Sequence, residues 1–344
     1  MPVVLSYSFN AVAPMFVAMA LGAVIAKRGL AGDREIGFLN TLCFRYLLAL
    51  HIFNNVLHVD FYAEFKPRLV VTFIIIVTAL FVFSWLIFSL AVKDYGRRCI
   101  CIATAYRSNN LIYALPLAAN LFGPEGVKPA AMLVPFTIIF YNFFTVIVMV
   151  YHRQKIEEDT AQNNAARTIA ARRFEPVGGA AGSTVMRTAL KKCAFEVITN
   201  PLIIGSSLGI VFSLLRFPLP AFVRNGVNLI ALSATPVSLV LLGAQINLKA
   251  LAGNIRAVIG ASALRLILVP GLVVPLVVAL GFRGPELGAL AVAFAAPPAV
   301  TNLIMARNYH IAPEFAAQTV YLSTILSMAT IFAMVAVLRG LGLF

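Results

Sequence analysis

Three side chains that could bind an anion lie close together inside one hydrophobic stretch of the chain. Arg107 is followed by Asn109 and Asn110 within the apolar residues 97–122. Guanidinium and amide N–H groups donate hydrogen bonds to carboxylates. Pro116 follows in the same segment; it has no N–H, and its ring clashes with the preceding helical turn. Because a broken helix persists in hydrocarbon only where it faces protein or water, the stretch predicts a buried polar site at a helix break.

A second interrupted stretch lies at the matching place in the other half of the chain. Pro297 and Pro298 are followed by Thr301 and Asn302 inside the apolar residues 285–307. Two interrupted hydrophobic segments in corresponding positions are the best pointer in a sequence to the binding site of a transporter. The short polar side chains beside each break have two open interpretations. They either bind a substrate carboxylate or satisfy backbone groups that the break strands.

Three arginines are predicted to lie deep in the membrane, and no aspartate or glutamate falls clearly within a predicted span. Arg45, Arg107 and Arg265 each stand about ten residues, or about 15 Å, into an apolar segment. A charge at the bilayer centre costs at least about 2.5–3.5 kcal/mol, so it is kept where it meets water or a counter-ion. Half-helix N-termini at a break also favour anions. The pattern predicts an organic anion as substrate, with Arg45 and Arg265 as secondary candidates. The alternative is that each arginine reaches an interface or bonds carbonyls freed by a broken helix.

These residues are carried by segments long enough to span a bilayer, for which about 20 mostly apolar residues suffice. Hydrophobic residues make up 61% of the chain and charged residues 12%, whereas a soluble domain is less apolar and about twice as charged. The composition therefore predicts an all-α polytopic membrane protein in a lipid bilayer. The ten candidate spans cover residues 7–26, 34–57, 68–92, 97–122, 127–151, 197–216, 220–246, 254–281, 285–307 and 313–342.

One long connection, residues 152–196, divides the chain into a first unit at 1–151 and a second at 197–344. Each unit holds five candidate spans. Because five is odd, a second copy must insert upside down relative to the first, which predicts an inverted repeat. Lys and Arg are more frequent in the loops on the side of the long connection. That bias places the long loop in the cytoplasm and both termini outside.

Other classes of protein are disfavoured. The net charge of +14 comes largely from short loops between apolar segments, which is a topology signal, so we expect no nucleic-acid partner. The sequence has no nucleophile elbow, zinc-protease, nucleotide-loop or dinucleotide-binding motif. We therefore expect no enzyme activity, no cofactor and no metal site. A non-transporting membrane receptor that uses the same pocket stays an alternative.

Several short motifs, in their order and spacing, resemble the auxin efflux carrier family, which includes the plant PIN-FORMED carriers and many bacterial permeases. The resemblance covers both halves of the chain. The matching motifs are Ser108-Asn-Asn-Leu-Ile-Tyr-Ala-Leu-Pro116, Asn200-Pro201, Leu219-Pro220-Ala221-Phe222, Pro236-Val-Ser-Leu, Leu242-Gly243, Ala296-Pro297-Pro298 and Ala306-Arg307-Asn308-Tyr309.

This resemblance implies a specific architecture. It implies ten transmembrane helices in two inverted five-helix repeats, with broken helices 4 and 9 crossing at prolines beside the substrate. Asn109 matches the family's carboxylate-binding asparagine, and Pro116 and Pro297 match the crossover, with Pro298 beside them. Helices 1, 2, 6 and 7 would form a scaffold, often a homodimer interface. Helices 3–5 and 8–10 would form a transport unit that moves against it, giving elevator-like alternating access.

The same resemblance implies a carrier of small organic acids, such as malate or malonate, in the inner (plasma) membrane. An auxin-like aromatic carboxylate efflux carrier is the alternative within the family. Two features depart from the family pattern: the second span has no proline between Arg45 and His51, and Arg107 directly precedes the asparagine pair. Arg107 favours a dianionic substrate.

Overall fold

In the computed structural model, the described residues are 2–57, 65–169, 195, 198–216, 218–246 and 255–344. Across these ranges every regular element is a helix, apart from one isolated β-bridge. The α-helices are α1 (Pro2–Lys27), α2 (Asp33–Leu42), α3 (Leu48–Leu57), α4 (Pro67–Ala91), α5 (Tyr95–Tyr106), α6 (Leu115–Phe122), α7 (Pro124–Ile169), α8 (Pro201–Leu214), α9 (Ala221–Ala244), α10 (Ile255–Ala263), α11 (Val269–Ala279), α12 (Gly284–Ala295), α13 (Val300–Asn308) and α14 (Pro313–Gly340).

Three π-helical turns modify this series. Cys43–Leu47 joins α2 to α3, Leu264–Leu268 joins α10 to α11, and Asn110–Ala114 leads into α6. The second and eighth predicted spans are therefore continuous. The fourth and ninth are interrupted, as the sequence predicts. We call residues 107–110, from the end of α5 to the first residue of the turn into α6, the first break, and residues 296–302, from the end of α12 through the first turn of α13, the second break.

The helices have the length and composition of a multi-pass membrane protein. Seven helices within the described ranges are long and apolar enough to cross a bilayer. Three shorter apolar helices, Asn110–Phe122, Pro201–Leu214 and Gly284–Ala295, fall in the fourth, sixth and ninth predicted spans. Large apolar side chains such as Leu90 and Phe222 are strongly exposed, as expected of a surface that faces lipid.

Helix α7 is longer than the sequence predicts. The fifth span was expected to end at residue 151, but α7 continues to Ile169, so the first part of the expected 152–196 loop is helical. Ion pairs Arg153–Glu157 (2.9 Å) and Lys155–Glu158 (2.8 Å) lie along this extension, at spacings that stabilise a helix. Most of the remaining connection lies outside the described residues.

One group of helices packs with unusually close backbones. Helix α1 runs along α9, and α3 packs against both α8 and α9. A β-carbon added at Gly22 would overlap the Val240 carbonyl oxygen, and one at Gly205 would overlap the carbonyl of Ala49. Small residues permit such close approach of helices in a membrane, where packing drives association.

The other helices enclose the two breaks. Helix α5 packs against α4 and α7, and α12 packs against α6, α7 and α11, while α14 covers α10 and α13. Every residue of α12 from Leu287 to Ala295 is buried. Phe81 of α4 and Phe144 of α7 stack with centroids 4.3 Å apart. The breaks therefore lie in the protein interior rather than against lipid, which is where non-helical backbone is tolerated at membrane depth.

Candidate functional site

The two breaks cross each other and pair as a short antiparallel bridge. The bridge joins Ser108 of the first break to Pro298 of the second. The Asn109 N–H donates to the Pro297 carbonyl oxygen at 2.8 Å, and the Ala299 N–H donates to the Arg107 carbonyl oxygen at 3.4 Å. Each break thus satisfies some of the backbone groups that the other leaves without helical partners.

Prolines set the second break but not the first. The residue before a proline disfavours helical backbone angles, and Ala296, before Pro297, is extended with φ −59° and ψ 145°. Pro297 and Pro298 therefore lie in the crossing. Pro116 lies outside it, inside the helical stretch Asn110–Phe122 and just after its π-helical turn. The N–H that proline lacks would otherwise donate to a carbonyl of that turn, so Pro116 accompanies the change from π-helical to α-helical hydrogen bonding.

Arg265 is fully buried and binds backbone carbonyls from both broken spans. Its Nε donates to the Ala296 oxygen at 2.9 Å and its Nη1 to the Ala105 oxygen at 2.9 Å. Its Nη2 donates to the Ala293 oxygen at 3.4 Å. These carbonyls stand at the C-terminal ends of α5 and α12, where helix dipoles are negative. Of the two interpretations of Arg265, the contacts support carbonyl bonding at the breaks.

Arg107 is also buried, but its guanidinium is held by neutral side chains of α7. Nη1 donates to Thr145 Oγ1 at 2.7 Å, and Nη2 donates to Asn142 Oδ1 at 2.9 Å. In the part of the chain that the structure describes, no buried side chain is an aspartate or glutamate. The positive charge at the first break therefore has no buried carboxylate partner there, while hydrogen bonds fix its position.

The two asparagines of the first break are used differently. Asn109 Oδ1 accepts the Ile112 N–H at 3.3 Å and so caps the turn that leads into α6. Its Nδ2 has no hydrogen-bond partner among the described residues and can donate to a ligand oxygen. Asn110 Nδ2 lies 3.2 Å from Thr137 Oγ1 and 3.5 Å from the Tyr141 hydroxyl. Asn110 is therefore held within the protein.

Ser108 links the first break to both α7 and α12. Its Oγ lies 2.6 Å from the Ala293 carbonyl oxygen, 2.8 Å from the Tyr141 hydroxyl and 2.9 Å from Asn110 Oδ1. Sequence reasoning missed the polar positions of α7 that meet the break, at residues 137, 141 and 145. Their spacing of four places them on one face of a helix. This polar stripe inside an apolar span is the signal that would have identified them.

The second break has few side-chain partners. Ala299 occupies the N-cap position of α13, where its methyl side chain makes no capping hydrogen bond. Asn302, in the first turn of α13, is 1% exposed, and neither its Oδ1 nor its Nδ2 has a partner within the described ranges. Thr301 beside it is half-buried. A buried amide without partners carries a desolvation cost of about 1–3 kcal/mol, which a bound ligand can remove.

Other polar side chains within the predicted spans lie apart from this crossing. Arg45 is exposed in the turn that joins α2 to α3, so it is not brought to the crossing with the other two arginines. His51 Nδ1 lies 3.0 Å from the Ala231 oxygen of α9, and its Nε2 lies 3.1 Å from Asn55 Nδ2. Gln245 donates to Asn40 at 3.2 Å. The contacts with Ala231 and Asn40 join neighbouring helices, whereas the contact between His51 and Asn55 lies within α3.

Comparison with known proteins gives a consistent result over nearly the whole chain. A family model described as "Membrane transport protein" matches residues 7–335. A curated relative from Methanothermobacter thermautotrophicus, described as an uncharacterized transporter, is 20% identical over 326 residues. That alignment covers 94% of this chain and 96% of the relative. Both similarities include the two breaks and the helices that surround them.

Proposed function

Because the chain belongs to the membrane transport protein family, the auxin efflux carrier family that its motifs resemble, we propose that it is a secondary carrier of small organic anions. Mono- and dicarboxylates such as malate or malonate are the proposed substrates. The proposal combines the family's transport activity with the charge of the crossing.

The observation that carries the proposal is the buried guanidinium of Arg107 on neutral partners. A buried charge is strongly unfavourable unless it is both hydrogen-bonded and paired with an opposite charge. Thr145 and Asn142 supply hydrogen bonds at 2.7 Å and 2.9 Å but no negative charge. A substrate carboxylate supplies that negative charge, and the planar guanidinium can donate two parallel hydrogen bonds to it.

Two further groups favour a carboxylate at the same place. The turn into α6 and the start of α13 present N-terminal backbone N–H groups at the crossing, and such ends attract anions. Asn109 Nδ2 and the Asn302 amide add side-chain donors without partners in the described part of the chain. The C-terminal ends of α5 and α12 carry negative dipole charge, and Arg265 bonds their carbonyl oxygens. The net electrostatic potential at the crossing is therefore positive.

The proposed mechanism is elevator-like alternating access between two units built from ten helices in two inverted five-helix repeats. The scaffold is α1–α3 with α8 and α9, and the transport unit is α4–α7 with α10–α14. The glycine contacts of α1 with α9 and of α3 with α8 support a rigid scaffold. In this proposal the protein lies in the inner membrane with both termini outside, and the scaffold is the surface for a homodimer.

A ligand panel on the purified protein tests the substrate class. Malate, malonate, acetate and an aromatic carboxylate are compared with chloride and choline at equal ionic strength by thermal unfolding. A ligand at 100 times its Kd stabilises the folded state by about 2.7 kcal/mol, which raises the Tm measurably. Stabilisation by one or more carboxylates is expected. Stabilisation by cations alone, or by no anion, would refute the anion proposal.

Uptake into liposomes separates a carrier from a receptor. Labelled dicarboxylate is offered to vesicles containing the protein under imposed pH, sodium and voltage gradients. A carrier accumulates the label, and its response to each gradient identifies the driving force. Binding without uptake under any gradient would instead identify a receptor.

A further inference from the structure

The carbonyl oxygens that Arg265 bonds form the kind of cluster that binds a coupling cation in other transporters. In carriers with broken helices, unwound carbonyls and half-helix C-terminal ends coordinate Na⁺ or take part in proton coupling. Here the oxygens of Ala105, Ala293 and Ala296 converge from the ends of α5 and α12. All three accept hydrogen bonds from one guanidinium.

We propose that Arg265 is a tethered cation that takes the place of a transported one at this crossing. The side chain is 0% exposed, and its donor atoms stand 2.9, 2.9 and 3.4 Å from the three oxygens. Three donors directed at three acceptors put the positive charge of the guanidinium where a bound metal ion would otherwise lie. Arg265 is thus a positioning residue that joins the two breaks, and transport needs neither Na⁺ nor K⁺ at the crossing.

The balance of charge agrees with this assignment. Each helix C-terminus carries roughly half a negative elementary charge, so the ends of α5 and α12 together carry about one. The single positive charge of Arg265 offsets them within the protein. The charge of Arg107, which bonds only neutral side chains, stays available to the substrate. The charge of Arg265 is therefore offset within the protein, and the charge of Arg107 is offset by the proposed substrate.

Arg45 provides a matched control for Arg265. Both arginines lie in π-helical turns within long apolar spans, Cys43–Leu47 and Leu264–Leu268. Arg45 is exposed, whereas Arg265 is fully buried. Removing Arg45 deletes the same charge without freeing the crossing carbonyls, so any difference between the two variants reports on those carbonyls.

The test measures the thermal unfolding of detergent-purified wild type, Arg265→Ala, Arg265→Lys and Arg45→Ala. Each is examined in choline, sodium, potassium and low-millimolar guanidinium chloride at constant ionic strength. Wild type and Arg45→Ala should have the same Tm in all four salts. Arg265→Ala should unfold about 5 °C lower or more in choline, and guanidinium or sodium should recover part of that loss. Arg265→Lys, which keeps a cation with three donors, should fall between wild type and Arg265→Ala.

Two results would overturn the proposal. One is a specific stabilisation of wild type by sodium or potassium over choline, which shows a separate cation site. The other is an Arg265→Ala variant whose Tm is unchanged, or is lowered but raised by no small cation, because a merely structural arginine gives that result. If Arg265→Ala cannot be purified, Arg265→Gln is measured in its place, and the wild-type comparison still applies.

A transport measurement extends this test, and it rests on the proposed carrier function. Malate uptake by wild type at a fixed membrane potential should be unchanged when choline replaces sodium, and sodium should restore uptake by Arg265→Ala. If no organic anion is taken up, the proposed function fails, while the unfolding measurements still decide the role of Arg265.

Discussion

The two breaks share a backbone geometry but differ in how their side chains are satisfied. At the first break, Arg107, Ser108 and Asn110 all bond to side chains of α7. At the second break, Ala299 gives no side-chain cap and Asn302 has no partner in the described part of the chain. The first break is therefore fixed by the protein, and the second leaves hydrogen-bonding capacity unused.

This difference separates two roles that the sequence presents as one. A buried polar group that is fully bonded adds rigidity and stability, whereas one left without partners costs stability. Residues of the first break position the charge of Arg107, and Asn302 in the second supplies donors and an acceptor that no described residue satisfies. Asn110→Ala should therefore lower stability more than ligand binding, and Asn302→Ala should lower ligand binding more than stability.

The largest effect is expected from Arg107→Gln. Loss of one partner from a buried charge pair costs about 2–5 kcal/mol, so the affinity for a dicarboxylate should fall by roughly 30-fold to several thousand-fold. A monocarboxylate should lose less, because one carboxylate can still meet Asn109 and the helix N-termini. Titration of ligand-induced Tm shifts with malate and acetate measures both changes.

Arg45→Gln is the control for that experiment, because it removes an exposed arginine from another span. It should leave both affinities within about twofold. Equal affinities for wild type and Arg107→Gln, with malate and with acetate, would remove Arg107 from the binding site and leave the first break with a purely structural role.

A paired truncation distinguishes the two breaks by stability. Asn110→Ala and Asn302→Ala delete the same atoms, so their packing losses are similar. Asn110→Ala also strips bonds from Thr137 and Tyr141, and it should cost about 1–3 kcal/mol more in unfolding free energy than Asn302→Ala. Denaturant unfolding of the two variants in detergent gives this difference.

The ligand response should reverse the ranking. Asn302→Ala should lose more of the carboxylate-induced Tm shift than Asn110→Ala, because the Asn302 amide has no partner among the described residues to give up. If Asn302→Ala is the less stable variant and still responds fully to ligand, the contrast between the two breaks is wrong.

The smallest effect is expected from Pro116→Ala. Pro116 lies in the first turn of α6 and outside the bridge between Ser108 and Pro298. The bridge does not depend on Pro116, and alanine can adopt the same helical backbone, so the change should alter the unfolding free energy by less than about 1 kcal/mol and leave the ligand response intact. A loss of several kcal/mol would show that Pro116 holds the first break after all.

The sequence predicts the spans and both breaks well because hydrophobic length and proline are local signals. The structure has Pro116 beyond the bridge, inside the helical stretch Asn110–Phe122. A proline interrupts helical hydrogen bonding without fixing at which residue the backbone unwinds. The end of α7 was missed because the charged residues after residue 151 were interpreted as a loop. Their spacing also forms helix-stabilising pairs, Arg153–Glu157 and Lys155–Glu158.

The three arginines show what a single sequence cannot supply. Arg45, Arg107 and Arg265 have the same residue type at similar predicted depth, yet the first is exposed and the other two are buried with different partners. Which face of a helix turns inward depends on contacts with helices distant in the chain. The carbonyls that Arg265 bonds belong to α5 and α12, and no local pattern identifies them.

The glycine contacts of α1 with α9 also restrict how the molecule can move. A β-carbon at Gly22 would overlap the backbone of Val240, and one at Gly243 would overlap the backbone of Met19. The two helices are therefore in close backbone contact at both positions. Sliding of one helix along the other would drive side chains into backbone. Asn120 of α6 donates to the Ala11 oxygen of α1 at 2.9 Å, a contact that a small displacement can break and remake. In the proposed elevator mechanism, α1 and α9 would therefore move together, and displacement would occur where α1 meets α6.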